Sequence, residues 1–118
     1  MAEFGMRKQV SLSFDEALGR TERALAAEGF GVLTRIDVKA TLKEKIGVDF
    51  RRYQILGACN PRLAHKALTT ELGVGVMLPC NVAVWENESG LVTISAVDPM
   101  QTLAAQDPRL APIATDVR

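Results

Sequence analysis

The amino-acid sequence predicts a single domain that combines α-helices with a β-sheet. At 118 residues the chain is long enough for one hydrophobic core and falls short of the size at which a second core is expected. Apolar runs of strand character alternate with amphipathic stretches that end in glycine. Near the C-terminus, two β-rich runs are joined by four polar residues, which is typical of an antiparallel hairpin.

The N-terminal part of the chain predicts a strand followed by a helix. Residues 9–14 alternate apolar and polar side chains, as expected for a half-buried strand. The core side of this strand would carry Val10, Leu12 and Phe14. The helix begins at Asp15, because Ser13 and Glu16 can form a capping box there, and Gly29 offers a left-handed stop.

The middle of the chain repeats this alternation of strand and helix. Residues 30–38 read as a second strand, and residues 39–47 as a second, shorter helix whose apolar side chains recur every four positions. A third apolar run covers residues 51–59 and ends on a cysteine. Asn60 and Pro61 then predict a helix start, since asparagine caps the free amides and proline fits the first helical turn.

The C-terminal third predicts an antiparallel pair of strands. Residues 74–86 and 91–97 are rich in β-branched side chains, and the connection between them suits a hairpin. Pro79 cannot donate to a strand ladder, so it implies an edge position or a bulge just before Cys80. A short helix is expected after Asp98, followed by a weakly helical tail.

Charge and hydropathy exclude several classes of partner. The chain has 14 basic and 14 acidic residues, so no net field attracts nucleic acid or anionic lipid, and we expect neither as a partner. No apolar run reaches the roughly 18 residues of a membrane span. Residues 1–8 lack the apolar core of a signal peptide, and we assign them to a disordered or vector-derived leader, with residues 9–118 as the domain. A cytoplasmic location is therefore expected.

Two cysteines, Cys59 and Cys80, are the first candidates for chemistry. Each ends an apolar run and precedes an asparagine. At a helix start, Cys59 could be held as a thiolate by the exposed amides, although a free cysteine is more often a small buried residue. The two segments could be neighbours in one sheet, which would let the sulfurs meet. Their separation along the chain does not match the close spacing of redox motifs.

A soft-metal site is a second possibility for these cysteines. His65, the only histidine, lies in the predicted helix after Asn60, where a surface position is its more frequent role. Cys59, Cys80 and His65 together could offer three donors to copper or zinc, but no metal-binding spacing is present. A fourth ligand would have to come from water or a second subunit. No catalytic constellation is evident, and the sequence assigns no cofactor.

Several stretches together resemble a known family. These stretches are "ILGACNP", "AHKAL" and "VMLPCNVAVWE", with "FGVLTRIDVKATLKEKIG" before them and "VDP" after them. Over about residues 9–111 the chain resembles the domain of unknown function 302 family of bacterial and archaeal proteins. The resemblance implies an α+β fold with a curved antiparallel sheet and helices packed on one face, similar to TATA-binding-protein-like folds. It also implies a homodimer, and it carries no established activity.

The sequence therefore supports three hypotheses about function. The first is a small dimeric module that binds a small ligand or a protein partner in a cleft near the two motifs. Its binding residues would be Cys59, Asn60, His65, Cys80 and Asn81. The alternative is a thiol-based redox or soft-metal-handling protein that uses the two cysteines. A purely structural subunit is the third.

Overall fold

A computed structural model describes residues 5–97 of the chain. Its elements, in chain order, are β1 (Met6–Val10), α1 (Phe14–Ala27), β2 (Gly31–Asp37), α2 (Val38–Ile46), β3 (Tyr53–Cys59), α3 (Pro61–Thr70), a short 3-10 helix (Leu72–Met77), β4 (Cys80–Glu86) and β5 (Val92–Ala96). The five strands form one sheet in the order β1-β5-β4-β3-β2, and every neighbouring pair is antiparallel. The predicted α+β class, with an antiparallel sheet, is confirmed.

One face of the sheet, the α1 face, carries the main core. Leu56 of β3, Val84 of β4 and Val92 of β5 are completely buried there, and Phe14 and Ala17 of α1 pack against them. This arrangement follows from the side-chain periodicities of strands and helices. Alternate residues of each strand point to the same face, while α1 turns one stripe of side chains toward them.

Local capping determines where α1 begins. The Ser13 side chain accepts a hydrogen bond from the Glu16 amide at 3.2 Å, as the predicted cap requires. Phe14 is therefore the first residue of the helix rather than the last of a strand, and the predicted strand 9–14 is wrong in position. β1 lies at Met6–Val10, so residues 6–8, which we assigned to a leader, belong to the sheet.

Two further expectations about the strands are corrected. Residues 72–77, part of which we placed in a strand, form the 3-10 helix and pack with α3 in a second small core. Pro79 lies neither on an edge strand nor in a bulge. It precedes β4, an interior strand whose register with β3 is unbroken, and the Leu78–Pro79 peptide is cis.

The remaining element predictions agree with the structure. α2, α3 and the β4–β5 hairpin form where capping residues and apolar periodicity placed them. The helix expected after Asp98 lies outside the described residues. Within residues 5–97, none of the helices is both long and apolar enough to span a bilayer.

Candidate functional site

The two cysteine-containing motifs meet across β3 and β4. Ala58 of the first motif lies opposite Cys80 of the second, and Gly57 lies opposite Asn81. The prediction that these segments are neighbours in one sheet is therefore confirmed. The meeting point is the end of both strands, where β3 leads into α3 and Pro79 leads into β4.

Gly57 permits the close approach of these segments. A Cβ atom at this position would lie 2.7 Å from Cγ of Pro79 and closer still to Oγ1 of Thr34 in the neighbouring strand β2. Because real Cβ atoms essentially never approach other heavy atoms within 3.0 Å, only glycine fits here without movement. The glycine of one motif and the proline of the other are thus explained by packing.

Asn60 and Pro61 are explained by the start of α3. Oδ1 of Asn60 accepts a hydrogen bond from the Leu63 amide at 3.3 Å, and Pro61 occupies the first helical turn. Nδ2 of Asn60 lies beside Gly29, at the turn that follows α1. Asn60 therefore caps α3 and lies close to the turn that ends α1.

A cavity of about 500 Å³ lies between α1 and the sheet. Its walls come from α1, from the adjoining strands β1, β5 and β4, and from Ala58 of β3. The walls are mainly apolar. The polar or charged residues among them are Lys8, Arg20, Thr21, Glu28, Cys80 and Asn81.

Small side chains on α1 leave room for this cavity. Ala17, Thr21 and Ala24 follow one another at helical spacing and all line it. Thr21 satisfies its hydroxyl within the helix, where it donates to the Ala17 carbonyl at 2.7 Å. Its hydroxyl therefore adds no unsatisfied polar group to the cavity wall.

Two of the five predicted binding residues, Cys80 and Asn81, border the cavity. Cys80 shares the α1 face with Ala58, whereas Asn81 lies opposite Gly57, so strand alternation directs its side chain to the other face. Cys59 does not line it, because strand alternation directs Cys59 away from the α1 face that Ala58 and Cys80 share. Both cysteines are free and partly buried. Burial, with a smaller contribution from the neighbouring Cys59, raises the pKa of the Cys80 thiol above its ordinary value of 9.0.

His65 is exposed on α3, whose buried face is formed by Ala67 with Leu63 and Leu68 beside it. It does not line the cavity. In the described part of the chain, histidine, cysteine and carboxylate side chains nowhere gather in groups of three or more that could hold a metal ion. Cys59, Cys80 and His65 are thus not brought together as a ligand set.

Sequence reasoning missed most of the cavity walls. The residues contributed by α1 and β1 carry no motif, and their proximity depends on the pairing of β1 with β5 at opposite ends of the described chain. The one signal available was the run of small residues on α1. On its own it predicts close helix packing as readily as it predicts a cavity.

Comparisons with known proteins agree on one family. The family model described as "Domain of unknown function DUF302" matches residues 6–118. The solved structure of an uncharacterized conserved protein DUF302 from Bacillus stearothermophilus is 38% identical to this chain with a TM-score of 0.86. That match covers 98% of this chain and 91% of the other. No curated protein matches the chain. The chain belongs to the family of the domain of unknown function DUF302.

Proposed function

We propose that this protein is a small binding module that takes an apolar ligand into the cavity between α1 and the sheet. The observation that carries the proposal is the cavity itself, a mainly apolar space of about 500 Å³ bounded on one side by Cys80 and Asn81. Ligand sites for small molecules typically measure roughly 300–1,000 Å³ and combine apolar walls with a few polar groups.

The polar groups on the walls favour a ligand with an acidic head group. Lys8 and Arg20 place two positive charges on the lining, against the single negative charge of Glu28. Both cations are exposed, so they can meet a head group at the solvent side while an alkyl chain occupies the apolar interior. A fatty-acid-like amphiphile has this combination of properties.

A thiol-based function receives less support from the site. A raised pKa lowers the fraction of Cys80 present as the nucleophilic thiolate at neutral pH. Cys59 and Cys80 are neighbours, but they point to different faces of the sheet. Cys80 therefore acts in this proposal as a small apolar wall residue.

Displacement of a fluorescent probe tests the proposal. Anilinonaphthalene sulfonate, which is apolar and anionic, should bind the full chain and be displaced by dodecanoate in preference to dodecanol or dodecylamine. Ala24→Trp places a large side chain on the cavity wall and should abolish binding. Ala26→Trp is the matched control, because Ala26 is an exposed residue of the same helix that does not line the cavity.

A second pair of variants tests the preference for a ligand with an acidic head group. Arg20→Gln should weaken dodecanoate binding by up to about fivefold, the equivalent of about 1 kcal/mol for an exposed ion pair, and leave dodecanol unaffected. Arg23→Gln, on α1 but outside the cavity, should change neither. Absence of probe binding to the full chain, or equal binding by Ala24→Trp and Ala26→Trp, would refute the proposal.

A further inference from the structure

The cavity beside α1 carries charges of opposite sign at two separate positions along the helix. Arg20, Ala24 and Glu28 recur every four residues, so they lie in one stripe of α1, and all three line the cavity. Because an α-helix rises about 1.5 Å per residue, Arg20 and Glu28 are about 12 Å apart along the helix axis. A positive charge and a negative charge therefore flank the small side chain of Ala24.

The sheet side of the cavity shows a similar separation. Lys8 of β1 lies opposite Ile94 of β5, and Ile94 lies opposite Val84 of β4. Lys8 is thus level with Val84, which follows Cys80 by four positions in β4. In an extended strand four residues span about 13 Å. The second positive charge is therefore also far from the part of the cavity that Cys80 borders.

Glu28 lies at the same end of the cavity as Cys80. At the turn that follows Glu28, a Cβ atom on Gly29 would lie 3.2 Å from Nδ2 of Asn60. Asn60 comes directly after β3, and Ala58 near the end of that strand lies opposite Cys80. We call this the motif end of the cavity. The negative charge lies at the motif end, and both positive charges lie away from it.

All three charged side chains are available to a ligand. Lys8, Arg20 and Glu28 are exposed, and none of them forms an ion pair with another residue in the described range 5–97. The end of α1 adds to the charge of Glu28, because the carbonyls at a helix C-terminus carry partial negative charge and the last turn of α1 contains no basic side chain. The motif end therefore favours a cation.

The wall between the two charged positions is apolar. It includes Ala24 and Leu25 of α1 and Ile94 and Ala96 of β5. A fatty acid held by its carboxylate at the positive position would bring its methyl end toward an exposed carboxylate, and Glu28 would gain no partner. A basic nitrogen at that end of the chain would instead form an ion pair with Glu28.

We propose that the ligand is an amphiphile with a polar group at each end of its chain, a carboxylate that meets Lys8 and Arg20 and an amine that meets Glu28. This inference rests on the proposed function, since it requires the chain of the ligand to lie in the same cavity. It adds the second head group, and it makes Glu28 a specificity-determining residue.

Competition for anilinonaphthalene sulfonate bound to the full chain tests the second head group. The two competitors, ω-aminododecanoate and dodecanedioate, differ only in the charge at the far end of the chain. The wild-type protein should bind ω-aminododecanoate at least about fivefold more tightly, because an attraction to Glu28 replaces a repulsion. Glu28→Gln should largely remove this difference, and Glu28→Lys should reverse it. Both variants should keep the wild-type circular dichroism spectrum, since Glu28 is exposed.

Glu16→Gln and Glu16→Lys are the matched controls. Glu16 is an exposed carboxylate of the same helix that does not line the cavity, so both controls should keep the wild-type preference. If dodecanoate displaces the probe but the wild type shows no preference between the two competitors, or if the Glu28 and Glu16 variants change it equally, the inference is overturned and the proposed function stands. Absence of probe binding to the full chain refutes the proposed function and this inference with it.

Discussion

Substituting Gly57 with alanine tests the close packing of the two motifs. The added Cβ would lie 2.7 Å from Cγ of Pro79, about 0.7 Å inside the 3.4 Å at which ordinary contact begins, and closer still to Oγ1 of Thr34. Cγ of Pro79 is held in its ring, and the β-branched side chain of Thr34 has few alternative χ1 rotamers, so neither atom moves away freely. Overpacking of this kind costs about 1–3 kcal/mol, and the two simultaneous contacts place Gly57→Ala near about 3 kcal/mol.

Urea unfolding followed by Trp85 fluorescence measures this free energy. Trp85 is the only tryptophan and stacks on Tyr53 with ring centroids 5.3 Å apart, so its emission reports loss of the sheet. Gly31→Ala is the matched control, because Gly31 also lies in a strand but a Cβ there meets nothing within 4 Å. The control should change stability by less than about 0.5 kcal/mol.

A double-mutant cycle identifies the contact responsible. Thr34→Ala removes the nearer of the two clashing atoms and should recover at least about 1 kcal/mol of the loss caused by Gly57→Ala. Thr34 is exposed, so the single substitution should be nearly neutral. If Gly57→Ala destabilises no more than Gly31→Ala, or if the cycle shows no coupling, the packing explanation of the motifs is refuted.

Three further predictions concern the core, the cap of α3 and the Cys80 thiol. Leu56→Ala empties a fully buried site and should lower the free energy of unfolding by about 2–5 kcal/mol, measured by urea titration. Asn60→Ala removes the cap of α3 and should cost about 1 kcal/mol, whereas Asn60→Asp should retain most of it. In Cys59→Ser protein, Cys80 should react with iodoacetamide more slowly than a model thiol at neutral pH, since burial raises its pKa. The same raised pKa should make the free energy of unfolding fall as the pH rises above the ordinary thiol value of 9.0, because the Cys80 thiol then loses its proton in the unfolded chain before it does in the folded one. Urea titrations that give the same free energy of unfolding throughout that pH range would contradict this prediction.

Local signals in the sequence were sufficient to predict the positions of the elements whose ends are capped. The Asn60-Pro61 pair predicted the start of α3, and Gly47 predicted the end of α2, where it adopts the left-handed conformation with φ of 68°. The β4–β5 hairpin was predictable because its strands are close in sequence and joined by a short polar connection. Each of these signals acts over a few residues.

The predictions from the sequence were wrong where contacts between distant segments determine the structure. β1 exposes Arg7 and Lys8, so its sequence lacks the alternation of a half-buried strand, and its pairing with β5 is visible only in the folded chain. The apolar period of residues 9–14 was real, since Val10, Leu12 and Phe14 all reach the core, but a capped helix start interrupts the strand.

The site was only partly predictable, because it too depends on contacts between distant segments. Cys80 and Asn81 were predicted because they lie in a motif, but the contact between Gly57 and Pro79 shows that part of this motif serves packing. Whether neighbouring cysteines share a face depends on register, and here Ala58, not Cys59, lies opposite Cys80. A shift of one residue in that pairing would have changed the faces.

Crystallography of the full chain with a bromine-labelled fatty acid tests the proposed binding function most directly. The account predicts an anomalous bromine peak between α1 and the strands β4 and β5, beside Ala24 and Cys80, with the carboxylate toward Lys8 or Arg20. A cavity filled by the protein's own side chains, with the bromine elsewhere or absent, would contradict it.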